Sequence, residues 1–297
     1  MSGSRSGEVA SRLSAHDSAG LLAVTVADLP GTVAIVVGID TGGSDVRAAD
    51  VLLDFGPALA AQIDRLWSER LAPFARCMAG LPLPKPGPPV LRQHDPQLPA
   101  AAERMLRRVR AGLTEGGFDD GRWTYDHIGS TAVPGLRAKQ FIDLQIGAAT
   151  WPEERSPADA VLAAAGFLPA TGARPDSPGV YRDGLKDPDL APAEAYRKRL
   201  YFRPDPAQPS ILHLRQLGSP WWSYTVQFHD WLRANPAGRS AYERAKQQAA
   251  DAHASDADFD DYTRAKAAFF DQVQGEYEPG LIRSPPRGCM RQPCDPR

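Results

Sequence analysis

The chain has 297 residues, and its composition of 42% hydrophobic, 8% aromatic and 24% charged residues is typical of a globular protein. Its 34 Lys and Arg residues are balanced by 36 Asp and Glu residues, and the net charge of −2 excludes a global positive field that would attract nucleic acid. The three cysteines are odd in number and lack C-x-x-C spacing, so they predict neither a disulfide framework nor a zinc site.

The most apolar stretch, residues 19–39, does not have the pattern of a membrane span. Asp28 and Pro30 interrupt it, and neither half reaches the ~20 residues that cross a bilayer. Two acidic residues, Glu8 and Asp17, precede it, which argues against a signal peptide. The sequence therefore predicts a cytoplasmic protein with no membrane partner.

Two segments precede a proline-rich linker. Residues 1–46 are poor in aromatic side chains, and we expect them to be irregular or poorly ordered apart from a strand at 33–37. Residues 47–83 are predicted to be helical because apolar side chains recur at steps of three and four residues, at Leu59, Ile63, Leu66, Trp67, Leu71 and Phe74. Residues 84–90 are rich in proline, which favours an extended linker.

Residues 91–278 alternate helical and strand patterns, as expected for an α/β (α+β) domain. A helix is predicted at 98–114, and strands are predicted at 123–128, 141–146, 198–203 and 211–216. Ser219 and Asn235, each followed by proline, are typical helix starts and predict a C-terminal helical segment. We expect the Pro- and Arg-rich tail, residues 279–297, to be disordered.

The most informative segment runs from His127 to Gln145 and reads HIGSTAVPGLRAKQFIDLQ, a pattern of strand, small-residue turn, short helix and strand. Gly129 and Ser130 allow close backbone approach and expose amides at a helix N-terminus, where phosphate is stabilised. Asp143 alternates with apolar residues and is expected to point off the sheet toward the same place. Because Mg²⁺ prefers oxygen ligands and bridges to phosphates, Asp143 is predicted to be a catalytic and metal-binding residue with Mg²⁺ as cofactor.

Other residues are candidates for the same site. Phosphate ligands are predicted in the turn and on the strands, at Thr131, Lys139, Lys198, Arg199 and Arg215. His127 and His213 are candidate general bases. Each has a structural alternative: a tight turn at Gly129 and Ser130, an ion pair or cap at Asp143, solvated charges on the strands, and hydrogen-bonded histidines.

The segment at 127–145 resembles the signature of the GrpB family, also called UPF0157, which looks like H-I-G-S-T-A-V-P-G-L-x-A-K-x-x-I-D. Later segments are similar in order, at 213–219, 228–236, 242–246 and 262–266, so the resemblance covers about residues 91–277. It implies a nucleotidyltransferase-like mixed sheet flanked by helices, with a C-terminal helical segment. In such a fold, a Gly-Ser turn holds a triphosphate and strand carboxylates hold metal. Lys246 and Lys266 recur in the family's helical pattern, either as site residues or as members of ion pairs.

The sequence departs from the pattern that two-metal nucleotidyl transfer requires. That reaction ordinarily needs two carboxylates one residue apart and a third on a neighbouring strand, which bring two metals within about 4 Å. Gln145 stands at the second position, and the third strand offers His213 and Arg215. Asp143 alone is expected to hold one Mg²⁺ through substrate phosphates, which argues against ordinary two-metal catalysis.

A second resemblance lies upstream. Residues 47–56 and 66–74 look like the C-terminal end of bacterial dephospho-CoA kinases, some of which carry a GrpB domain directly afterwards, so 47–83 is interpreted as a helical remnant of such a kinase. A P-loop needs G-x-x-x-x-G-K-[S/T]. Gly38 and Gly43 have the glycine spacing, but Ser44 stands where lysine is required. We therefore expect no dephospho-CoA kinase activity from this chain.

The sequence leaves two functions open. In the first, the protein binds a nucleotide or another phosphorylated small molecule and transfers a nucleotidyl group. In the second, it is a non-catalytic nucleotide-binding or accessory module for a kinase partner in coenzyme A biosynthesis. The first requires a further acidic side chain near Asp143, and the second does not.

Overall fold

The computed structural model describes most of the central and C-terminal chain and shorter N-terminal pieces: residues 2–16, 25–26, 35–40, 49–54, 56–81, 87–152, 156–170, 180–184 and 191–273. The predicted linker at 84–90 lies partly, and the predicted tail at 279–297 entirely, outside the described residues. Gly43 and Ser44 of the P-loop comparison also lie outside them. Among the described helices, none is both long and apolar enough to cross a bilayer.

The N-terminal unit is a small parallel sheet packed against helices. Helix α1 spans Ser2–His16, strands β1, β2 and β3 span Thr25–Val26, Val36–Asp40 and Val51–Asp54, and helix α2 spans Leu59–Leu66. One π-helical turn, Trp67–Leu71, leads into α3, Ala72–Met78. The strands pair in parallel in the order β1-β2-β3. Buried side chains from helices α1, α2 and α3 and from strands β2 and β3 form one hydrophobic core, which includes Val9, Leu13, Val37, Leu53, Ile63 and Phe74.

This unit is more regular than the sequence indicated. The described part of 1–46, expected to be irregular, contains α1 and two strands. Residues 51–54, expected to be helical, form β3 instead. A short apolar run suits both a helix and a buried strand, and pairing with β2 decides the outcome here.

The central element is a five-stranded mixed sheet. Strands β4 to β8 span Thr124–Ile128, Ile142–Ala148, Leu168–Pro169, Lys198–Arg203 and Ser210–Gln216. Their order is β4-β5-β8-β7-β6, in which β5 and β8 are parallel and the other pairs are antiparallel. The predicted mixed sheet is confirmed.

The two faces of this sheet carry different chemistry because strand side chains alternate. One face packs on helices α4, Leu98–Glu115, and α5, Pro157–Ala164. Its core side chains include Ile142, Leu144 and Leu212. The opposite face carries polar residues, among them Asp143, Gln145, His213 and Arg215.

The C-terminal segment is helical, as predicted. Helices α6 to α9 span Pro220–Ala234, Pro236–Ala252, Asp260–Ala265 and Ala267–Val273. The predicted starts are capped, since Ser219 accepts from the Trp222 amide and Asn235 from the Gly238 amide. Apolar residues of these helices pack on Val133 and Leu136, just after the Gly129–Ser130 turn. The helices therefore fix the position of the turn.

Buried ion pairs join the N-terminal unit to the sheet. Arg70 binds Asp205 in the β7–β8 connection through two hydrogen bonds of 2.8 and 2.7 Å, and Arg203 donates to the same carboxylate at 2.6 Å. Asp50 accepts from Arg108 of α4 at 2.6 Å. Burial raises the pKa of Asp205, but the charges of Arg203 and Arg70 outweigh burial and lower it to about 2.

Candidate functional site

The Gly129 turn and the Asp143 carboxylate lie directly against each other. Ile128 is paired with Asp143 across β4 and β5, so Gly129 leaves the sheet beside that side chain. Gly129 has φ 73° and ψ −169°, a conformation essentially restricted to glycine. A Cβ at this position would overlap the Asp143 carboxylate. Glycine is therefore required twice, by the backbone conformation and by the close approach.

The predicted short helix after Gly129 is a single 3-10 turn, Ser130–Ala132. The amides of Ala132 and Val133 bond within the turn, to the carbonyls of Gly129 and Ser130. The turn is too short to have a substantial macrodipole. Positive charge at this site must therefore come from side chains.

Lys246 brings one positive charge from α7 to the turn. Its side chain is only 1% exposed, and its ammonium lies 3.3 Å from Ser130 Oγ and donates to the Arg137 carbonyl. Burial, together with the charge of Lys266, lowers the pKa of Lys246 to about 7. Tyr242, one helical turn earlier, also hydrogen-bonds Ser130.

Lys139 and Lys266 add two further ammonium groups around the ring of Tyr262. Their Nζ atoms lie 5.2 and 5.5 Å from its centroid, and Lys139 also lies 3.2 Å from the ring centroid of Phe259. Burial and the charge of Lys266 lower the pKa of Lys139 to about 7. Three lysines from three parts of the chain therefore surround the Ser130 and Asp143 region.

Asp143 remains an anion in this setting. Its side chain is 33% exposed, and His213 Nε2 lies 4.0 Å from its Oδ1. Burial raises the pKa of Asp143, but the interaction with the His213 ring and the charges of Lys266 and Lys139 outweigh burial and hold the pKa below its ordinary value. The carboxylate is thus ionised at neutral pH and partly accessible to a ligand.

Gln145 does not replace the missing second carboxylate. Its Oε1 accepts from Arg215 Nη1 at 2.6 Å and from Thr225 Oγ1 at 2.8 Å, while its Nε2 donates to the Trp222 carbonyl at 3.2 Å. The amide is fully buried and all its polar atoms have partners. The Gln145 side chain therefore links the sheet to helix α6 through hydrogen bonds, and its oxygen is not available to a metal.

Arg215 and Lys198 are held by a buried carboxylate that the sequence analysis did not single out. Asp183 accepts from Arg215 at 2.7 and 3.0 Å and from Lys198 at 2.9 Å. Burial raises the pKa of Asp183, but these two cations outweigh burial and lower it well below its usual range. The two predicted phosphate ligands thus share one counter-charge, Asp183, on the Asp143 face of the sheet.

Arg199 and His127 lie on the other face. Arg199 is paired with core residue Leu214 and donates to Asp159 of α5 at 2.6 Å. His127 is paired with Leu144, and its Nε2 lies 3.0 Å from Thr131 Oγ1. Burial lowers the pKa of His127 to about 4. The structure therefore separates both residues from the Asp143 face, although Thr131 connects His127 to the turn.

His213 lies beside Asp143, but its hydrogen bonds do not suit a general base. Arg215 Nη2 donates toward His213 Nδ1 at 3.3 Å, which places the ring proton on Nε2, facing Asp143. Burial, followed by the charge of Arg215, lowers the pKa of His213 to about 4. At neutral pH the ring is an uncharged donor toward Asp143.

Asp143 is the carboxylate beside the turn that would hold a metal. Asp126 of β4 is paired with Gln145 and thus shares the Asp143 face, two residues from the position opposite Asp143. The three-donor group that the described residues do contain, His253, Asp256 and Asp261, lies in the α7–α8 region. Mg²⁺ beside Asp143 fits only if ligand phosphates complete its coordination.

Four residues near the site were not predicted from the sequence: Lys246 and Lys266, whose roles were left open, and Asp126 and Asp183. The lysines lie more than 100 residues from the turn, so only the fold of α7 and α8 shows their proximity. Asp126 carries a sequence signal, because it lies on a predicted strand two residues before Ile128, the residue that pairs with Asp143, and therefore points to the same face of the sheet. Asp183 lies in an irregular region with no local signal.

The comparisons with known proteins agree with the sequence motif at 127–145. A family model described as GrpB protein matches residues 88–276. The chain is 33% identical over 238 residues to a protein named dephospho-CoA kinase from Mycolicibacterium paratuberculosis, covering 75% of this chain and 54% of that protein. A protein of the same name from Mycobacterium tuberculosis is 31% identical over 239 residues, covering 77% and 56%. This chain thus spans about half the length of the curated kinases it matches.

Two further relatives lack the kinase name. A UPF0157 protein from Halalkalibacterium halodurans is 29% identical over 161 residues, covering 54% of this chain and 68% of that protein. The crystal structure of the conserved protein GrpB from Enterococcus faecalis has a TM-score of 0.45 and 22% identity, covering 63% of this chain and 96% of that chain.

Proposed function

The chain belongs to the GrpB family, and from this membership and the site geometry we propose that it binds a nucleotide or another phosphorylated small molecule at Gly129, Ser130 and Asp143. The observation that supports this most strongly is the approach of Asp143 to the glycine turn, in a region where Lys139 and Lys246 bring positive charge. Ammonium groups and turn amides are donors that match phosphate oxygens.

On this proposal each group has a stated role. The Ser130 hydroxyl and the amides of Ser130 and Thr131 contact the phosphates, Lys139 neutralises their charge, and Asp143 supplies the protein ligand of Mg²⁺. Asp143 would hold Mg²⁺, and the metal would supply charge neutralisation at the phosphates. In the catalytic version, an acceptor hydroxyl or amine attacks the α-phosphate of a bound triphosphate and gives its proton to solvent, the bond from the α-phosphorus to the bridging oxygen breaks, and pyrophosphate leaves.

Binding is tested by thermal unfolding with and without Mg-ATP, comparing the wild type with Asp143→Asn. A ligand at 100 times its Kd stabilises the folded state by about 2.7 kcal/mol, so we expect a clear rise in Tm for the wild type. Asp143→Asn removes the charge that holds Mg²⁺, and we expect at least about tenfold weaker Mg-dependent binding, from loss of one charge-assisted contact.

The matched control is Asp251→Asn, an exposed aspartate on α7. It should bind Mg-ATP as the wild type does. A wild type that Mg-ATP does not stabilise at millimolar concentration would contradict the proposed binding, and an Asp143→Asn variant with wild-type affinity would contradict the assigned role of the carboxylate.

A second candidate function is that of a non-catalytic or accessory module linked to dephospho-CoA kinase and coenzyme A biosynthesis. It is favoured by the kinase-named relatives, since a match covering 75% of this chain includes residues upstream of 88. The buried pair between Arg70 and Asp205 also joins the upstream unit to the GrpB domain. Assays of the purified chain separate the two: pyrophosphate release from a nucleoside triphosphate supports transfer, while binding without turnover supports the accessory module.

A further inference from the structure

An aromatic patch adjoins the candidate phosphate site on the same face of the sheet. Phe141 alternates with Ile142 and so shares the face of Asp143. Phe202 is paired with Ile211, which is itself paired with Asp143, so Phe202 shares this face as well. The rings of Phe141 and Phe202 are stacked with centroids 6.5 Å apart, and both side chains are only half-buried.

Phe259 and Lys139 connect this patch to the lysines. The Phe259 ring meets Phe141 edge-on at a centroid distance of 5.2 Å, and Lys139 lies over both rings, at 3.2 and 5.4 Å. An ammonium on an aromatic face is stabilised by the ring quadrupole. Aromatic and cationic groups thus form one continuous surface beside Asp143.

Acidic and basic side chains lie close together near the turn. Asp260 faces Lys139, and Glu243 faces Lys246 while pairing with Arg137 at 4.0 Å. The Asp143 carboxylate interacts electrostatically with both Lys139 and Lys266. Three lysines and Arg137 thus lie near the turn, and a ligand with several negative charges would complement them and favour the charged forms of Lys139 and Lys246, whose pKa values burial lowers.

We propose that the ligand is a nucleoside polyphosphate, with its phosphate chain on Lys139, Lys246 and Lys266 and its base stacked on Phe141 and Phe202. This inference rests on the proposed function, because it specifies the ligand of the same site. An inorganic phosphate or a sugar phosphate would contact the lysines without using the exposed parts of Phe141 and Phe202. A base covers those faces without needing a hydrogen-bond pattern, since every base has a π-face.

Calorimetric titration with two probes, ATP and inorganic tripolyphosphate, each with Mg²⁺, separates the two halves of the site. Base–aromatic stacking accounts for about tenfold or more in affinity, so the wild type should bind ATP at least about tenfold more tightly than tripolyphosphate. Phe202→Leu keeps an apolar side chain on β7 and should abolish this preference while leaving tripolyphosphate affinity unchanged. Lys266→Met should weaken both ligands by about tenfold or more.

Arg244→Met, at an exposed position of α7, is the control for charge removal and should bind both probes as the wild type does. Thermal unfolding of each variant verifies that it is folded. Equal affinity of the wild type for the two probes, or an unchanged ATP preference in Phe202→Leu, would overturn the inference and leave the proposed function intact. Failure of the wild type to bind either probe would overturn both.

Discussion

Replacing Asp205 by asparagine is expected to lower the free energy of unfolding by about 3–5 kcal/mol at pH 7, because two buried guanidinium groups lose their counter-charge. The Asp205 side chain is 0% exposed and binds Arg70 of the N-terminal unit and Arg203 of β7 together. Urea unfolding measures the effect. The control is Asp120→Asn, which removes an exposed pair with Arg122 and should leave the urea midpoint unchanged.

The pH dependence of the difference in unfolding free energy between the wild type and Asp205→Asn tests whether the ionised Asp205 carboxylate is the cause. The pKa of Asp205 is about 2 in the folded protein against an ordinary 3.8, so its ion pairs stabilise the fold fully above about pH 5. That stabilisation, about 2 kcal/mol from the pKa difference, is lost as pH falls from about 4 to about 2. The difference between wild type and Asp205→Asn should therefore shrink in acid. A difference below about 1 kcal/mol at pH 7, or one independent of pH, would contradict the role assigned to the carboxylate.

Replacing Gly129 by alanine is expected to abolish ligand binding, with a loss of at least about 100-fold in affinity. The backbone conformation at φ 73° costs a non-glycine residue about 1–3 kcal/mol, and the added Cβ overlaps the Asp143 carboxylate. The side chain of Asp143 must then leave the turn, which separates the metal ligand from the phosphate donors. Titration with Mg-ATP measures the loss.

Gly135→Ala is a matched control in the same segment. Gly135 also has a positive φ, 77°, but a Cβ there meets no atom within 4 Å. The variant should lose a similar amount of stability from backbone strain and retain ligand binding. If both variants lose binding equally, strain in the segment rather than the approach of Asp143 to Gly129 is the cause.

The sequence predicted the parts of the fold that local patterns encode. The alternation at 142–146 indicated a strand buried on one face, and Ser219 and Asn235 indicated helix starts that the structure shows as caps. The glycine–serine turn and Asp143 were expected to converge, and the structure places them in contact. These features depend on residues within about one turn or one hairpin of each other.

Features that depend on distant pairing were not predictable. The face on which Arg199 lies follows from its pairing with Leu214, which sequence alone does not give. Lys198 and Arg215 bind Asp183, whose position depends on an irregular segment. Besides the predicted Lys139, the positive charges near the turn come from Lys246 and from Lys266 at the end of α8, which helix packing brings there.

The most direct measurement for the binding site is an amide ¹H–¹⁵N NMR titration of the full chain with Mg-ATP. The proposed site requires saturable shifts of the Ser130 and Thr131 amides, at ligand concentrations that match the calorimetric affinity, together with loss of these shifts in Asp143→Asn. Saturable shifts elsewhere in the protein with these two amides unchanged would contradict phosphate binding at the Gly129–Ser130 turn.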